Sequence, residues 1–262
     1  MTVFIGTSGW QYADWREAFY PRGVPQRAWL EHYAARFAVV EVNASFYHLP
    51  RAEVFAAWAA RTPDDFVLCP KVSRYLTHMK KLREPHEPVA RFVARAAALG
   101  AKRGPALLQL PHTFAADPPL LAAALDCFPD GWRLAVELRH PSWFTGEIAA
   151  LLAERDAALV HSDRDGRPQE PLWRTASWGY VRFHHGRATP RPCYGRRVLD
   201  TWAQRLATRY EDADVYAFFN NDPRCCAVRD ARLFALACRR HGLAATRVPA
   251  ADEVRVRRDA AS

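Results

Sequence analysis

In five places along this chain, short apolar runs carry charged or polar residues at every second position near their ends. In VVEVNASFY (residues 39–47) Val40 and Val42 fall on one face, with Glu41, Asn43 and Ser45 on the other. FVLCPKV supplies Cys69 and Lys71, ALLQLP supplies Gln109, LAVELRH supplies Glu137 and Arg139, and GYVRFHH supplies Arg182 and His184. A period of two places each polar set on one face of a strand and leaves an apolar stripe on the opposite face. If the strands are neighbours in one sheet, these side chains converge, and a convergent group of acids, cations and a histidine is costly to bury without a use.

Between these runs the period lengthens to that of helices. Strands are predicted over residues 3–8, 39–46, 66–72, 106–110, 133–138, 157–162, 180–184 and 215–219, and helices over 25–37, 52–61, 88–99, 119–127, 144–155, 198–210 and 228–241. Residues 163–177 are rich in Arg, Pro, Gly and Gln and have no helical period, so the sixth helix is expected to be missing or vestigial. Eight strand–helix units, one degenerate, predict an α/β chain of the (β/α)8 TIM-barrel type. Residues 1–246 form its single domain, and 247–262 are a polar tail expected to fray. An open doubly wound sheet fits less well, because no GxGxxG or GxxxxGKS turn follows the first strand.

In such a barrel functional groups gather at the carboxyl ends of the strands. Glu41 and Glu137 are the candidate general acid and base, since burial raises a carboxyl pKa and a neighbouring Arg lowers it. The same two residues could instead be part of an ion-pair lattice with Lys71, Arg139 and Arg182. Those three cations exceed the two Glu by one charge, which leaves room for a phosphate or carboxylate. His184 reads as a proton shuttle or a core histidine. Trp10, Tyr12, Trp15, Phe19, Tyr20, Phe46 and Tyr47 form either a stacking platform or aromatic core, and residues 73–88 a lid over the ligand. Cys69 reads as small buried filler. The carboxylates and His lie on separate strands beside repelling cations, so no metal is expected, and no organic cofactor either.

Composition changes this picture little. Half of the 262 residues are hydrophobic, which suits a globular domain. The net charge of +9 and pI near 9.5 admit a nucleic-acid partner, held by the basic stretch 71–103 and the aromatic rim. Against that, only Lys71, Lys80, Lys81 and Lys102 among the 37 basic residues are Lys, and the Arg residues are scattered. No apolar window is long enough for a membrane span and no signal peptide is evident, so a cytoplasmic location is expected. The six Cys show no CxxC spacing and are expected to be reduced thiols.

GTSGWQYADWREAFYP, EVNASFYHLP, FVLCPKVSRYLTH, LLQLP, VELRHPSW, YVRFHHGR and FNND, in that order, resemble the motifs of the family called domain of unknown function 72, or YecE-like. The resemblance spans residues 3–238. It implies a TIM-type barrel and a loose fold-level analogy with sugar isomerases. Matched position by position, it points to Trp10, Glu41, Asn43, Phe46, Tyr47, Lys71, Gln109, Glu137, Arg139, Arg182, His184, Asn220 and Asn221. Two departures stand out. His184 and His185 compete for a position where the family has one His, and Cys225 and Cys226 occupy a region where a Gly-containing turn is usual.

The expected function is that of an enzyme, an isomerase or hydrolase without organic cofactor. Glu41, Glu137 and His184 would be catalytic, and the substrate a small anionic or polyhydroxylated, sugar-like molecule bound by Trp10, Asn43, Phe46, Tyr47, Lys71, Gln109, Arg139, Arg182, Asn220 and Asn221. The alternatives are a nucleic-acid binding or processing protein and a ligand-binding barrel without turnover. The sequence carries no sign of oligomeric state.

Overall fold

A computed structural model describes residues 1–256. The strands are β1 (Thr2–Thr7), β2 (Val39–Val42), β3 (Val67–Pro70), β4 (Ala106–Gln109), β5 (Leu134–Glu137), β6 (Ala158–Leu159), β7 (His161–Arg164), β8 (Arg167–Pro168), β9 (Gly179–His185), β10 (Val215–Phe219) and β11 (Ala244–Ala245). Between them lie the helices α1 (Trp29–Ala34), α2 (Ala44–Tyr47), α3 (Ala52–Ala60), α4 (His86–Ala96), α5 (Pro118–Asp126), α6 (Gly146–Glu154), α7 (Arg196–Arg209) and α8 (Cys226–Arg240). The chain is thus a mixed α/β fold.

All pairings are parallel except the β7–β8 hairpin. Three hydrogen-bonded sheets result, ordered β11-β1-β10-β9-β7-β8, β2-β3 and β4-β5-β6. Isolated parallel bridges, Ser8 to Glu41 and Lys71 to Leu107, join the ends of β1 to β2 and β3 to β4. Only Val160 separates β6 from β7, so the succession of pairings runs from β1 through β2, β3, β4, β5, β6, β7, β9 and β10, then back to β1.

Alternation sorts the side chains of these strands into two layers. One face packs under the helices, with Trp29, Tyr33, Phe92, Trp143, Trp202 and Phe234 in that outer core. The other face starts apolar, with Val39, Cys69, Leu107, Ala135, Tyr180 and Phe218 in a second cluster. Two residues further along the same faces stand Glu41, Lys71, Gln109, Glu137, Arg182 and Asn220. One period-two pattern therefore places a dry layer beneath a polar one.

Two helix starts are fixed locally. Asp117 accepts from Leu120 N ahead of a Pro at the start of α5, and Thr145 accepts from Ile148 N at α6. At the β1–β2 junction the chain needs a residue without Cβ, because a Cβ on Gly6 would lie 2.2 Å from the Val39 carbonyl oxygen.

The expected elements are found within a few residues of their predicted limits, with three differences. The second strand stops at Val42 instead of continuing to 46, and its NASFY end folds into the one-turn α2, where Ser45 Oγ donates to the carbonyls of Val42 and Lys71. Residues 163–177 indeed lack a helix, but they form the β7–β8 hairpin, held where the Asp163 carboxylate accepts from Gly166 N and Trp202 Nε1. The expected fraying does not extend over residues 247–256: Arg247 pairs with Asp65, Glu253 with Arg36, and Arg255 N donates to Ala18 O. Residues 257–262 of that tail lie outside the described residues.

The reduced-thiol expectation is corrected by a Cys193–Cys226 disulfide, which ties the loop after β9 to the start of α8. The partners are 33 residues apart and on different elements, which local spacing cannot reveal. Just before it, Arg224 and Cys225 adopt φ of +63° and +64°, the left-handed conformation for which glycine is the relaxed choice. No helix among the described residues is long and apolar enough to cross a membrane.

Substituting Gly6→Ala forces β1 away from β2 at the point where two sheets meet. We expect a loss of about 1–3 kcal/mol, in the range of overpacked cores. Denaturant titration checks this, and an unchanged midpoint would show that the junction yields without cost.

Candidate functional site

The Arg182 guanidinium, on β9, is 1% exposed and stands between two buried carboxylates. Its Nε and Nη2 donate to Glu41 Oε2 and Oε1 at 3.0 and 2.7 Å, and its Nη1 donates to Glu137 Oε2 at 2.6 Å. Tyr180 Oη donates to Glu41 Oε2 at 2.8 Å, so both oxygens of Glu41 are occupied. Glu137 also accepts from Gln109 Nε2 at 2.8 Å and from Arg139 Nε at 2.9 Å. Lys71 Nζ completes the chain by donating to Gln109 Oε1 at 3.0 Å. Desolvation alone would raise the Glu137 pKa, but the guanidiniums of Arg182 and Arg139 hold it well below the ordinary value.

Above this lattice an open cavity of about 470 Å³ is lined by Asn43, Phe46, Tyr47, Lys71, Arg74, His78, Gln109, Arg139, Arg182 and Asn220. Lys71 Nζ sits 4.3 Å from the centre of the Phe46 ring, a cation–π contact that fixes the ammonium in the wall. Two titrating groups register the local potential. Burial and then Arg182 push Lys71 down to about 8, while burial and then Lys71, Arg139 and Arg74 push His78 down to about 4. Burial leads both shifts, and the cations of the cavity wall add to it in the same direction.

A second cavity of about 310 Å³ shares Arg139 with the first and adds Glu137, His112, Arg164, Ser162, Gln169, Glu170 and His184. His184 Nδ1 accepts from Asn220 Nδ2 at 3.1 Å, which places the proton of the neutral ring on Nε2, 3.4 Å from Glu137 Oε1. Burial lowers the His184 pKa, so the ring is neutral at pH 7. Glu170 accepts from the backbone N and the hydroxyl of Ser162, yet burial pushes its pKa up to about 8. One cavity wall therefore carries an ionised carboxylate and a protonated carboxylic acid.

Of the expected site residues, Asn43, Phe46, Tyr47, Lys71, Gln109, Arg139, Arg182 and Asn220 line the larger cavity, and Glu137 and His184 line the smaller. The ambiguity between the two histidines resolves to His184, because His185 faces outward and pairs with Asp165. Three expectations are corrected. Glu41 lies beneath Arg182, fully buried and outside both cavity walls. Trp10 is core, its indole edge-on to Trp58, and it lines neither of these two cavities. Asn221 braces a loop by donating to Pro192 O and Asp230 Oδ2.

Sequence reasoning missed Tyr180, Arg74, His78, His112, Arg164, Gln169 and Glu170 as site residues. Tyr180 shares the parity of Arg182 and could have been found by extending the alternation two residues back. Arg74 and His78 lie in the segment predicted to cover the ligand, part of it a π-helical turn over Tyr75–Met79. Glu170 lies on a loop with no periodicity to expose it. Among the described residues no group of three or more His, Cys, Asp or Glu is placed to hold a metal ion.

A family model described as "Protein of unknown function DUF72" matches residues 4–253. The UPF0759 protein YecE of Escherichia coli K12 is 30% identical over 243 residues, spanning 83% of this chain and 86% of that protein. The UPF0759 protein YunF of Bacillus subtilis 168 is 26% identical, spanning 84% of this chain and 89% of that one. The crystal structure of a DUF72 family protein from Thermotoga maritima superposes with a TM-score of 0.77 at 26% identity, over 90% of this chain and 98% of that one. A DUF72 family structure from Enterococcus faecalis, 20% identical and covering 90% of this chain and 95% of that one, shares the fold with a TM-score of 0.76. The chain belongs to the DUF72 family.

Removing the Arg182 guanidinium leaves two buried carboxylates without their shared cation. Arg182→Met is expected to cost about 3–5 kcal/mol, and adding Glu41→Gln to it should recover part of the loss. Urea titration of the single and double variants checks this, and additive costs would show the pair is not coupled.

The two wall carboxyls have opposite pH signatures. Glu137, depressed in the fold, stabilises above the ordinary Glu value of 4.5 and loses that contribution as the pH falls toward its folded pKa. Glu170, raised to about 8, stabilises below 4.5 and loses its contribution as the pH rises toward 8. Melting curves from pH 3 to 9 should therefore show a shallower acid limb for Glu137→Gln and a flatter decline between pH 5 and 8 for Glu170→Gln. Parallel curves for all three proteins would contradict these assignments.

Proposed function

We propose that this DUF72 member closes its eight principal strands into a (β/α)8 barrel and acts as an enzyme on a small anionic, hydroxyl-bearing compound at their carboxyl ends. The closed succession of parallel pairings supports the barrel. The observation that carries the ligand is the vertical sorting of charge. Lys71, Arg74 and Arg139 face the larger cavity, whereas Glu41 and both oxygens of Glu137 are engaged beneath or beside it. A phosphate or carboxylate fits that surplus, and Asn43 and Asn220 offer polar groups for hydroxyls.

In this reading Glu41 anchors Arg182 and does not transfer protons. Proton transfer falls to the second cavity, where ionised Glu137 faces His184 Nε2 and Glu170 supplies an acid. A small ligand is favoured over nucleic acid because Lys71, Arg74 and Arg139 gather in one concave wall, while several exterior arginines are paired with acids, among them Arg61 with Glu31, Arg155 with Asp126, Arg174 with Asp212 and Arg240 with Asp200. Cations converging on a cavity suit a small anion better than an extended phosphate backbone.

Inorganic phosphate should stabilise the protein by about 2.7 kcal/mol at a hundredfold excess over its dissociation constant, beyond the effect of chloride at equal ionic strength. The phosphate-specific increment should shrink in Arg139→Gln and Arg74→Gln and survive in Arg240→Gln, which changes the exterior pair with Asp200. Thermal shift assays measure it. No phosphate-specific shift in the wild type would overturn the reading, and loss in Arg240→Gln alone would place the anion outside the cavity.

A further inference from the structure

Lys71 differs from every other lysine in the chain. Lys80 pairs with Glu84, Lys81 reaches Thr113 O, and Lys102 is tied to the carbonyls of Ala59 and Thr62. Lys71 is 7% exposed, its Nζ has no carboxylate within ion-pair distance among the described residues, and its hydrogen bond goes to the neutral Gln109 Oε1. The amine lies in the cavity wall, with the Phe46 ring on one side and the Arg74 and Arg139 guanidiniums lining the same space. A group that served only as fixed positive charge would be better matched by arginine, which this chain uses for most of its cations. An amine without an acid partner in a cationic cavity is the arrangement that favours a neutral, nucleophilic nitrogen.

We propose that Lys71 is a carbonyl-capturing amine, whose Nζ forms an imine with the aldehyde or ketone of a small anionic compound seated against Arg74 and Arg139. The inference rests on the anion-binding reading and narrows its ligand to carbonyl compounds. The neutral amine lone pair attacks the carbonyl carbon, and the C–O π pair moves to oxygen, which takes up a proton while nitrogen loses one. The carbinolamine then expels its protonated hydroxyl as water, leaving the C=N bond. Amine and carbonyl give imine and water, with no oxidant or reductant consumed. The depressed basicity of Lys71, about 8, agrees with the geometry. It gives on the order of a hundredfold more neutral amine near pH 7 than an ordinary lysine.

The test is reductive trapping. The full chain is incubated with pyruvate, glyoxylate or dihydroxyacetone phosphate, with acetone as the uncharged control, reduced with sodium cyanoborohydride, and mapped by peptide mass. The expected result is an adduct concentrated at Lys71 with at least one anionic probe, rising with pH through about 8, suppressed by inorganic phosphate and weak with acetone. Lys71→Arg should lose the adduct while keeping a cooperative melting transition, which shows that the variant is folded. If that variant does not fold, suppression of wild-type labelling by phosphate decides in its place. Labelling at Lys71 no greater than at Lys80 and Lys81, or insensitive to phosphate, overturns the inference. Absence of the adduct with the phosphate shift intact overturns this inference alone, whereas absence of any phosphate shift overturns the anion reading and this inference with it.

Discussion

The Arg182 guanidinium, buried between Glu41 and Glu137, is the constraint on which the rest of the site depends. Three charges from β9, β2 and the end of β5 meet out of reach of bulk solvent, and such burial is tolerated only where each donor and acceptor finds a partner. Here every guanidinium nitrogen is used: two on Glu41, one on Glu137, with Ser8 Oγ 3.5 Å from Nη2. The lattice thereby joins strands from all three hydrogen-bonded sheets. Where backbone pairing is reduced to isolated bridges between sheets, side chains supply the cross-connection.

The same lattice decides which charges a ligand can meet. Glu41 is consumed in holding Arg182, and Arg182 in turn holds Glu137 ionised. The groups left facing the larger cavity include the outer cations and neutral His78, and those facing the smaller one include Glu137, His184 and Glu170. Arg139 belongs to both walls and is one third exposed, so it is the accessible member of a set whose other members are buried. The two cavities are therefore adjoining parts of one site, divided by a single Arg–Glu pair.

Much of this was legible in the sequence because alternation is a strict code for which face a side chain takes. Lys71, Gln109, Glu137 and Arg182 were found from parity alone, and the missing sixth helix followed from the lack of period in residues 163–177. What parity could not deliver was depth. Glu41 and Glu137 carry the same signal, yet one lies under the guanidinium and the other beside the cavity, because depth depends on the stagger between strands. The strand-to-helix switch at Asn43 was hidden for a related reason: NASFY continues the alternation for a few residues, but Ser45 finds its partners in the carbonyls that end β2 and follow β3. The disulfide and Glu170 depend on contacts between distant segments, and neither has a local pattern.

The distribution of Arg and Lys carries the argument one step further. Wherever a cation of this chain is locked to an acid within the lattice or across elements on the exterior, it is most often an arginine, whose planar fork matches a carboxylate and which never gives up its charge. At position 71 the partner is an amide and a ring face, neither of which neutralises the ammonium, while burial first and then Arg182 and Arg139 oppose its protonation. A permanent charge there would only add to the repulsion in the wall. An ammonium can relieve that repulsion by releasing a proton, and in doing so becomes the one basic side chain of the larger cavity that offers a nucleophilic lone pair at neutral pH without being an imidazole. The sorting that confines the carboxylates below the cavity is thus also what makes its lysine chemically different from its arginines.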